Sequence, residues 1–512
     1  MNPVELNIFA SRLNAVCDEM GAVLRRSAFS PNIKDRLDFS CAVFDTHGEL
    51  CAQAAHIPVH LGSMAYAMRD IVGRFQWQKG DMLILNDPYL GGTHLPDVTL
   101  IAPVFVQTEL MGFVANRAHH ADIGSDTPGS MPITHLLEEE GLVISPALLI
   151  KAGKPDKKLL EIITSSTRNR HIGEGDFTAQ ISSNLCGVKR LELLIEKTGT
   201  GLFQSGVNAL NDYAERLANT ALKNIPNGSY HFSDVMDDDG LGNTDIVITC
   251  CISVSDGRIH VDFTGTAGQT PGNINCPLSV AAAGVYYVFR CLMPEQTPAC
   301  AGSFRDITLH APEGCLVNAQ FPAAVAAGNV ETSTRIVDVV MGALAQAIPD
   351  RIPAASHGSM NNLAMGSDDG DHPWDYYETM GGGMGASAGS HGLSAVQTHM
   401  TNTLNTPVES LEMHYPLRIR RYAIRDNSGG KGQHNGGDGL IREFEFLKPT
   451  NVTLLTERRT HAPWGRAGGE NGKPGINKKG NEILGGKASL KMNSGETLTI
   501  ETPGGGGWGS QM

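Results

Sequence analysis

The chain has 512 residues, 41% of them hydrophobic and 18% charged, which is enough apolar content for a large core and too much for a disordered chain. Gly contributes 59 residues with no three-residue period, so collagen is excluded, and no run of 18 apolar residues offers a membrane span. The net charge is −14, and from Leu417 onward 15 Lys/Arg face 9 Asp/Glu, so the rest of the chain carries the whole acidic excess; an acidic body argues against nucleic acid as the main partner.

Residues 3–26 repeat Leu6, Phe9, Leu13, Val16 and Met20 at three- and four-residue steps, the period of an amphipathic helix. Residues 39–44 and 49–54 read as two short strands around the turn 45–48. A helix is expected over 60–75 and strands over 81–86, 98–106 and 112–118, the last ending in His119-His120. Further helices are expected over 160–167 and 176–198, with a continuation past Gly201 to Leu222. After Pro226, residues 230–263 alternate as strands, broken at 237–240 and 255–257. A helix over 330–348 ends at Pro349, and its first turn is expected to satisfy Glu331 electrostatically. From Gly381 the chain is Gly-rich with short strands. The class is α+β, with a helix-rich first part (1–225), a mixed middle (226–375) and a Gly-rich β part (376–512), fused into one body. The apolar stretch 280–289 is too short for a bilayer and is closed by Arg290. The ten cysteines form no CxxC, and the chain opens without a secretory pattern, so they read as reduced, buried thiols of a cytoplasmic protein.

Chemistry concentrates in NDPYLGGTHLPDVTL (86–100) and NRAHHADIG (116–124). Both leave predicted strands through Gly- and Pro-containing loops. His94 and Asp97 lie three apart, and His119 ends a later strand. Two imidazoles and a carboxylate delivered from neighbouring strand ends suit a borderline divalent ion, with Mn, Zn, Fe and Co all open. Asp38, at the start of the strand DFSCAVFD, is the expected fourth ligand. His120 and Asp122 are left to orient ligands or to move protons. No phosphate-cradling GxxxxGK[ST] exists: GNEILGGK at 480–487 has five residues between Gly480 and Gly486, and Ala488 follows its Lys. No GxSxG elbow is present, and Cys41 reads as a structural thiol. The glycine runs 381–389 and 504–509 read as tight turns and close strand packing.

Taken in order, SPNIKDRLDFSCAVFD (30–45), HIPVHLGSM (56–64), NDPYLGGTHLPDVTL (86–100), AGNVETSTRIVD (327–338), HMTNTLNTPVESLE (399–412) and RDNSGGKGQHNGGDG (425–439) make the chain resemble the hydantoinase B/oxoprolinase family. The resemblance implies one half of a two-part enzyme, a hetero-oligomer in which a hydantoinase A-like partner subunit binds ATP and this chain holds a divalent metal. It places the metal set on Asp38, His94, Asp97 and His119. The implied reaction is ATP-dependent opening of a small cyclic amide (a hydantoin, lactam or 5-oxoproline), with metal-activated water attacking a substrate phosphorylated by the partner, and His120 or Asp122 taking the proton. Two alternatives are a subunit of an ATP-dependent ketone carboxylase and a non-catalytic scaffold for the ATPase subunit. The length favours the hydrolase, because carboxylase subunits run longer. The sequence departs from the family where an Arg is expected before Gly436-Gly437 and Asn435 stands instead.

Overall fold

A computed structural model describes residues 1–54, 56–368 and 373–511. The first part is built on a seven-stranded sheet of β1 (Phe39–Phe44), β2 (Leu50–Gln53), β3 (Met82–Leu85), β4 (Asp97–Val106), β5 (Glu109–His119), β6 (Ala147–Lys151) and β7 (Lys154–Pro155), in spatial order β2-β1-β5-β4-β3-β6-β7. On one face pack α1 (Pro3–Ser27) and the long helix Arg170–Thr198; on the other packs the helix Pro58–Val72. The α1 helix is opened by a capping box between Asn2 and Glu5; of the residues its period singled out it buries Phe9, Leu13, Val16 and Met20 and half-buries Leu6, and it buries Leu24 as well.

The expected α+β class holds, with shifted boundaries. The helix expected at 60–75 starts at Pro58, because proline is favoured in a first helical turn, and stops at Val72. The helices expected over 160–167 and 176–198 run Lys157–Ser165 and Arg170–Thr198, capped by Asp156 and Asn169. The continuation to Leu222 is a separate helix, Thr200–Leu222, because Gly199 breaks the axis at φ 84°.

The middle part has a second sheet of Gly228–Asp238, Thr244–Ser255, Arg258–Asp262 and Ile307–His310, interrupted where the Asp/Gly turns were expected. Its apolar face is covered by the helix Ser333–Ala347, which packs in turn on the helix Leu278–Leu292. The latter was not expected; Val280 to Phe289 is apolar throughout, and most of the helix is buried between neighbours. The helix expected from 330 begins with a π turn, Gly328–Thr332. Glu331 is there fully buried, not resting at a solvated helix start.

A four-stranded sheet joins Asn362–Ser367 and Trp374–Glu378, at the end of the middle part, to Thr450–Leu455 and Lys487–Met492 of the last part, which also contains a five-stranded sheet between Leu417 and Glu501. All ten cysteines are free; Cys186 and Cys251 are half-exposed and Cys291 is exposed, so burial does not extend to those three. Burial pushes the Cys41 thiol up to about 12, consistent with a structural role. Among the described residues no helix is long and apolar enough to cross a membrane.

Candidate metal centre

Three adjacent strand ends build the site. Asp97 lies directly opposite His119 in the β4–β5 ladder, and the His119 N–H donates to the Asp38 carbonyl at 3.0 Å. Side chains alternate across a pleated sheet. Arg117 therefore reaches Ser63 of the Pro58–Val72 helix at 2.6 Å, whereas Asn116 reaches the Gln180 carbonyl of the Arg170–Thr198 helix at 2.8 Å. His119 shares the Arg117 face.

His94 arrives from the loop between β3 and β4. Asn86 clamps this loop, donating to the Leu95 carbonyl at 2.8 Å and accepting from the Ile144 N–H at 2.6 Å. Gly92 is required: a Cβ there would lie 2.2 Å from the Asn86 carbonyl oxygen.

His94, Asp97 and His119 offer ligand atoms that all lie within 4.8 Å of one another, and all three residues are buried. His94 Nε2 is 3.3 Å from Asp97 Oδ2, and His119 Nδ1 is 3.3 Å from Asp97 Oδ1. Yet His94 Nε2, His119 Nε2 and Asp97 Oδ1 make no hydrogen bond among the described residues. Buried polar atoms without partners are costly. Two imidazoles and a carboxylate converging in this state fit a cation.

The surroundings fix these ligands. Asp97 Oδ2 accepts from Thr93 Oγ1 at 2.7 Å and Asn329 Nδ2 at 3.2 Å. His94 Nδ1 faces the Ala326 carbonyl at 3.2 Å. The Tyr377 ring stacks on His119 with centroids 4.5 Å apart. Burial opposes charge on Asp97, but the imidazoles of His60 and His94 outweigh it and hold the carboxyl well below the usual range. Burial lowers the pKa of His119; on His94 the neighbouring Asp97 outweighs burial and raises it.

The other expected residues divide. Asp38 is on the triad's face, its Oδ1 3.9 Å from His60 Nε2 and its Oδ2 3.4 Å from Arg36. His120 and Asp122 are not brought to the triad. One residue beyond His119, His120 turns to the opposite face, where it stacks on Phe177 at 4.2 Å and bonds Gln180 at 2.9 Å. Asp122 accepts from the Gly124 N–H, Ser130 Oγ and the Arg168 N–H, which makes it a loop clamp.

His60 was missed. Its Nε2 is 3.2 Å from Asp97 Oδ1, and its Nδ1 is 3.4 Å from Ser40 Oγ. The available signal was its position in HIPVHLGSM, two residues after a Pro that starts a helix. Asn329 was missed because it comes from 232 residues away in sequence.

A family model described as Hydantoinase B/oxoprolinase matches residues 2–511. An uncharacterised protein of Methanocaldococcus jannaschii is 42% identical over 521 residues, covering 100% of this chain and 91% of that protein. The 5-oxoprolinase 1 of Arabidopsis thaliana is 39% identical over 550 residues, covering 99% of this chain but 42% of the plant protein, so the chain spans less than half of that relative's length. Among solved structures, the ATP-dependent caprolactamase from Pseudomonas jessenii superposes with a TM-score of 0.93 at 28% identity, covering 100% of this chain and 91% of that one. With its resemblance in motifs matched along the whole length and in fold, the chain belongs to the hydantoinase B/oxoprolinase family.

Proposed function

We propose that this chain is the metal-holding subunit of an ATP-dependent hydrolase that opens a cyclic amide: a hydantoin, a lactam or 5-oxoproline. The observation that carries this reading is the buried triad His94–Asp97–His119, in which His94 Nε2, His119 Nε2 and Asp97 Oδ1 make no hydrogen bond among the described residues. The names of the 5-oxoprolinase and caprolactamase relatives support the substrate class.

An unstrained amide is a poor electrophile. In this reading a hydantoinase A-like partner subunit binds ATP and phosphorylates the amide oxygen, so that water can add to the activated carbon and phosphate can leave. A divalent ion (Mn, Zn, Fe or Co) held at the triad would supply Lewis acidity and lower the pKa of water toward neutrality. The chain's own residues do the positioning. His94, Asp97 and His119 would hold the ion, Asp38 is the fourth candidate, and His60 faces Asp97 at 3.2 Å with Asp38 farther off at 3.9 Å. His120 and Asp122 face or clamp other structure, so this reading gives the proton-accepting role to neither.

The test is an assay of the purified pair with ATP and each cyclic amide, beside a ketone with bicarbonate. His94→Ala and Asp97→Ala are each expected to abolish ring opening while assembly with the partner survives. Turnover at the parent rate in both variants, or carboxylation in place of ring opening, overturns the reading. Elemental analysis giving far less than one ion per chain favours a scaffold.

A further inference from the structure

Two of the three triad residues lean on one loop, residues 323–329. His94 Nδ1 meets the Ala326 carbonyl at 3.2 Å, and Asn329 Nδ2 donates to Asp97 Oδ2 at 3.2 Å. Almost every peptide of this loop is held from outside. Tyr89 OH donates to the Ala323 carbonyl at 2.6 Å and Asn275 Nδ2 to the Ala324 carbonyl at 3.0 Å. The N–H groups of Ala327 and Gly328 donate to the Asn273 carbonyl at 3.0 and 3.1 Å. Between them, Glu140 Oε1 accepts from both Val325 N–H and Ala326 N–H at 2.8 Å.

Glu140 is fully buried, and its Oε2 has no hydrogen-bond partner among the described residues. Thr134 Oγ1 adds one long bond to Oε1, at 3.4 Å. No Lys or Arg forms an ion pair with this carboxyl among the described residues. A carboxyl in such a place is expensive to bury. One of its two amide contacts, however, is at Ala326, the residue whose carbonyl faces His94, and the other is at Val325 just before it.

We propose that Glu140 is a positioning residue for the metal centre: by fixing the Val325 and Ala326 amides it holds the Ala326 carbonyl where it accepts a hydrogen bond from His94 Nδ1–H and leaves Nε2 free to ligate. A ring N–H bound to a carbonyl fixes the tautomer of a ligating histidine, and losing such support typically costs about 10–100-fold in metal affinity. The inference rests on the metal reading above and extends it to a residue 46 positions from His94 in sequence.

The experiment is cobalt(II) titration of the full-length, metal-free chain, read by its visible spectrum and by chelator competition, with thermal unfolding of the metal-free protein in parallel. The parent is expected to bind one ion, and His94→Ala to lose the spectrum. Glu140→Ala is expected to bind about 10–100-fold more weakly. Glu140→Gln, whose amide oxygen still accepts both N–H groups, is expected to recover most of that affinity. Cobalt affinity at the parent level in Glu140→Ala, with only the metal-free unfolding temperature lowered, overturns the inference while leaving the metal reading intact. If Glu140→Ala does not fold, Glu140→Asp, shorter by one methylene, serves in its place: weaker binding supports the proposal and parent affinity overturns it. A parent chain that takes up no cobalt overturns the metal reading and this inference together.

Discussion

Glu331 shows how far a residue's surroundings can move its chemistry. Its Oε1 accepts from the Met360 N–H at 2.9 Å and from Asn362 Nδ2 at 2.6 Å, and Asn362 Oδ1 in turn accepts from the hydroxyl of Tyr377, the ring stacked on His119. Burial first, and then the neighbouring Glu457, push its carboxyl from 4.5 up to about 8. The sign follows from linkage. A folded-state pKa above the unfolded value means that the stabilising contribution is complete below about 4.5 and is lost as pH rises through about 8. The unfolding temperature of the metal-free protein is therefore expected to fall across that window. It should fall less steeply in Glu331→Gln, which keeps the acceptor and cannot ionise. Parallel slopes for parent and variant in a pH series of melting curves would reject this assignment.

At the scale of elements, the helix Pro58–Val72 matters most to the site, because it places His60 over the strand ends. Its start is tied to β1, with the Ile57 N–H donating to Ser40 Oγ at 3.2 Å. Its flank is pressed against the helix Leu278–Leu292: a Cβ on Gly62 would come within 2.6 Å of the Ala283 Cα. Backbone cannot yield as a flexible side chain can. Gly62→Ala should force the two helices apart and cost about 1–3 kcal/mol in urea unfolding, the usual range for overpacking. Stability equal to the parent would show that the contact is slack. Such a contact is invisible in a linear reading, because Gly62 and Ala283 are 221 residues apart.

For the whole molecule, the Gly-rich last part acts as a fastener. The segment 502–507 is buried. Its peptides bond to several distant segments: Gly505 N–H to the Gly437 carbonyl at 2.9 Å, Gly506 N–H to Ala355 at 2.8 Å and Gly507 N–H to Glu470 at 2.8 Å. A Cβ on Gly505 would sit 2.1 Å from the Met384 carbonyl oxygen, and one on Gly436 would sit 2.0 Å from the Gly505 carbonyl oxygen. These backbones are layered too closely for any side chain. Gly505→Ala is thus expected to lower the unfolding temperature and soluble yield sharply. Gly389→Ala, at an exposed glycine with nothing within 4 Å of the added carbon, should leave both unchanged. Equal melting curves for the two variants would refute the layered packing as a source of stability. The glycine runs were expected to make tight turns and close strand packing; the close approach is present, but between irregular segments, since residues 502–507 form no strand. The Asn435 side chain, at the family's Arg position, accepts from the Gly432 N–H at 3.2 Å and lies at the exposed rim.

What the sequence determined by itself was whatever depends on short-range period. The helix of 3–26, the strands flanking 45–48 and the strands ending at Asp97 and His119 are written in local alternation, and local strand ends suffice to bring His94, Asp97 and His119 together. The tertiary structure alone decided which face each side chain meets and what waits there. It turned His120 away from His119 across the pleat, buried Glu331, and supplied His60, Asn329 and Glu140 from elements remote in sequence. The reason is physical: a backbone period is set by nearest neighbours, whereas the burial of a charge and the partner of a ligand are set by how separate surfaces pack.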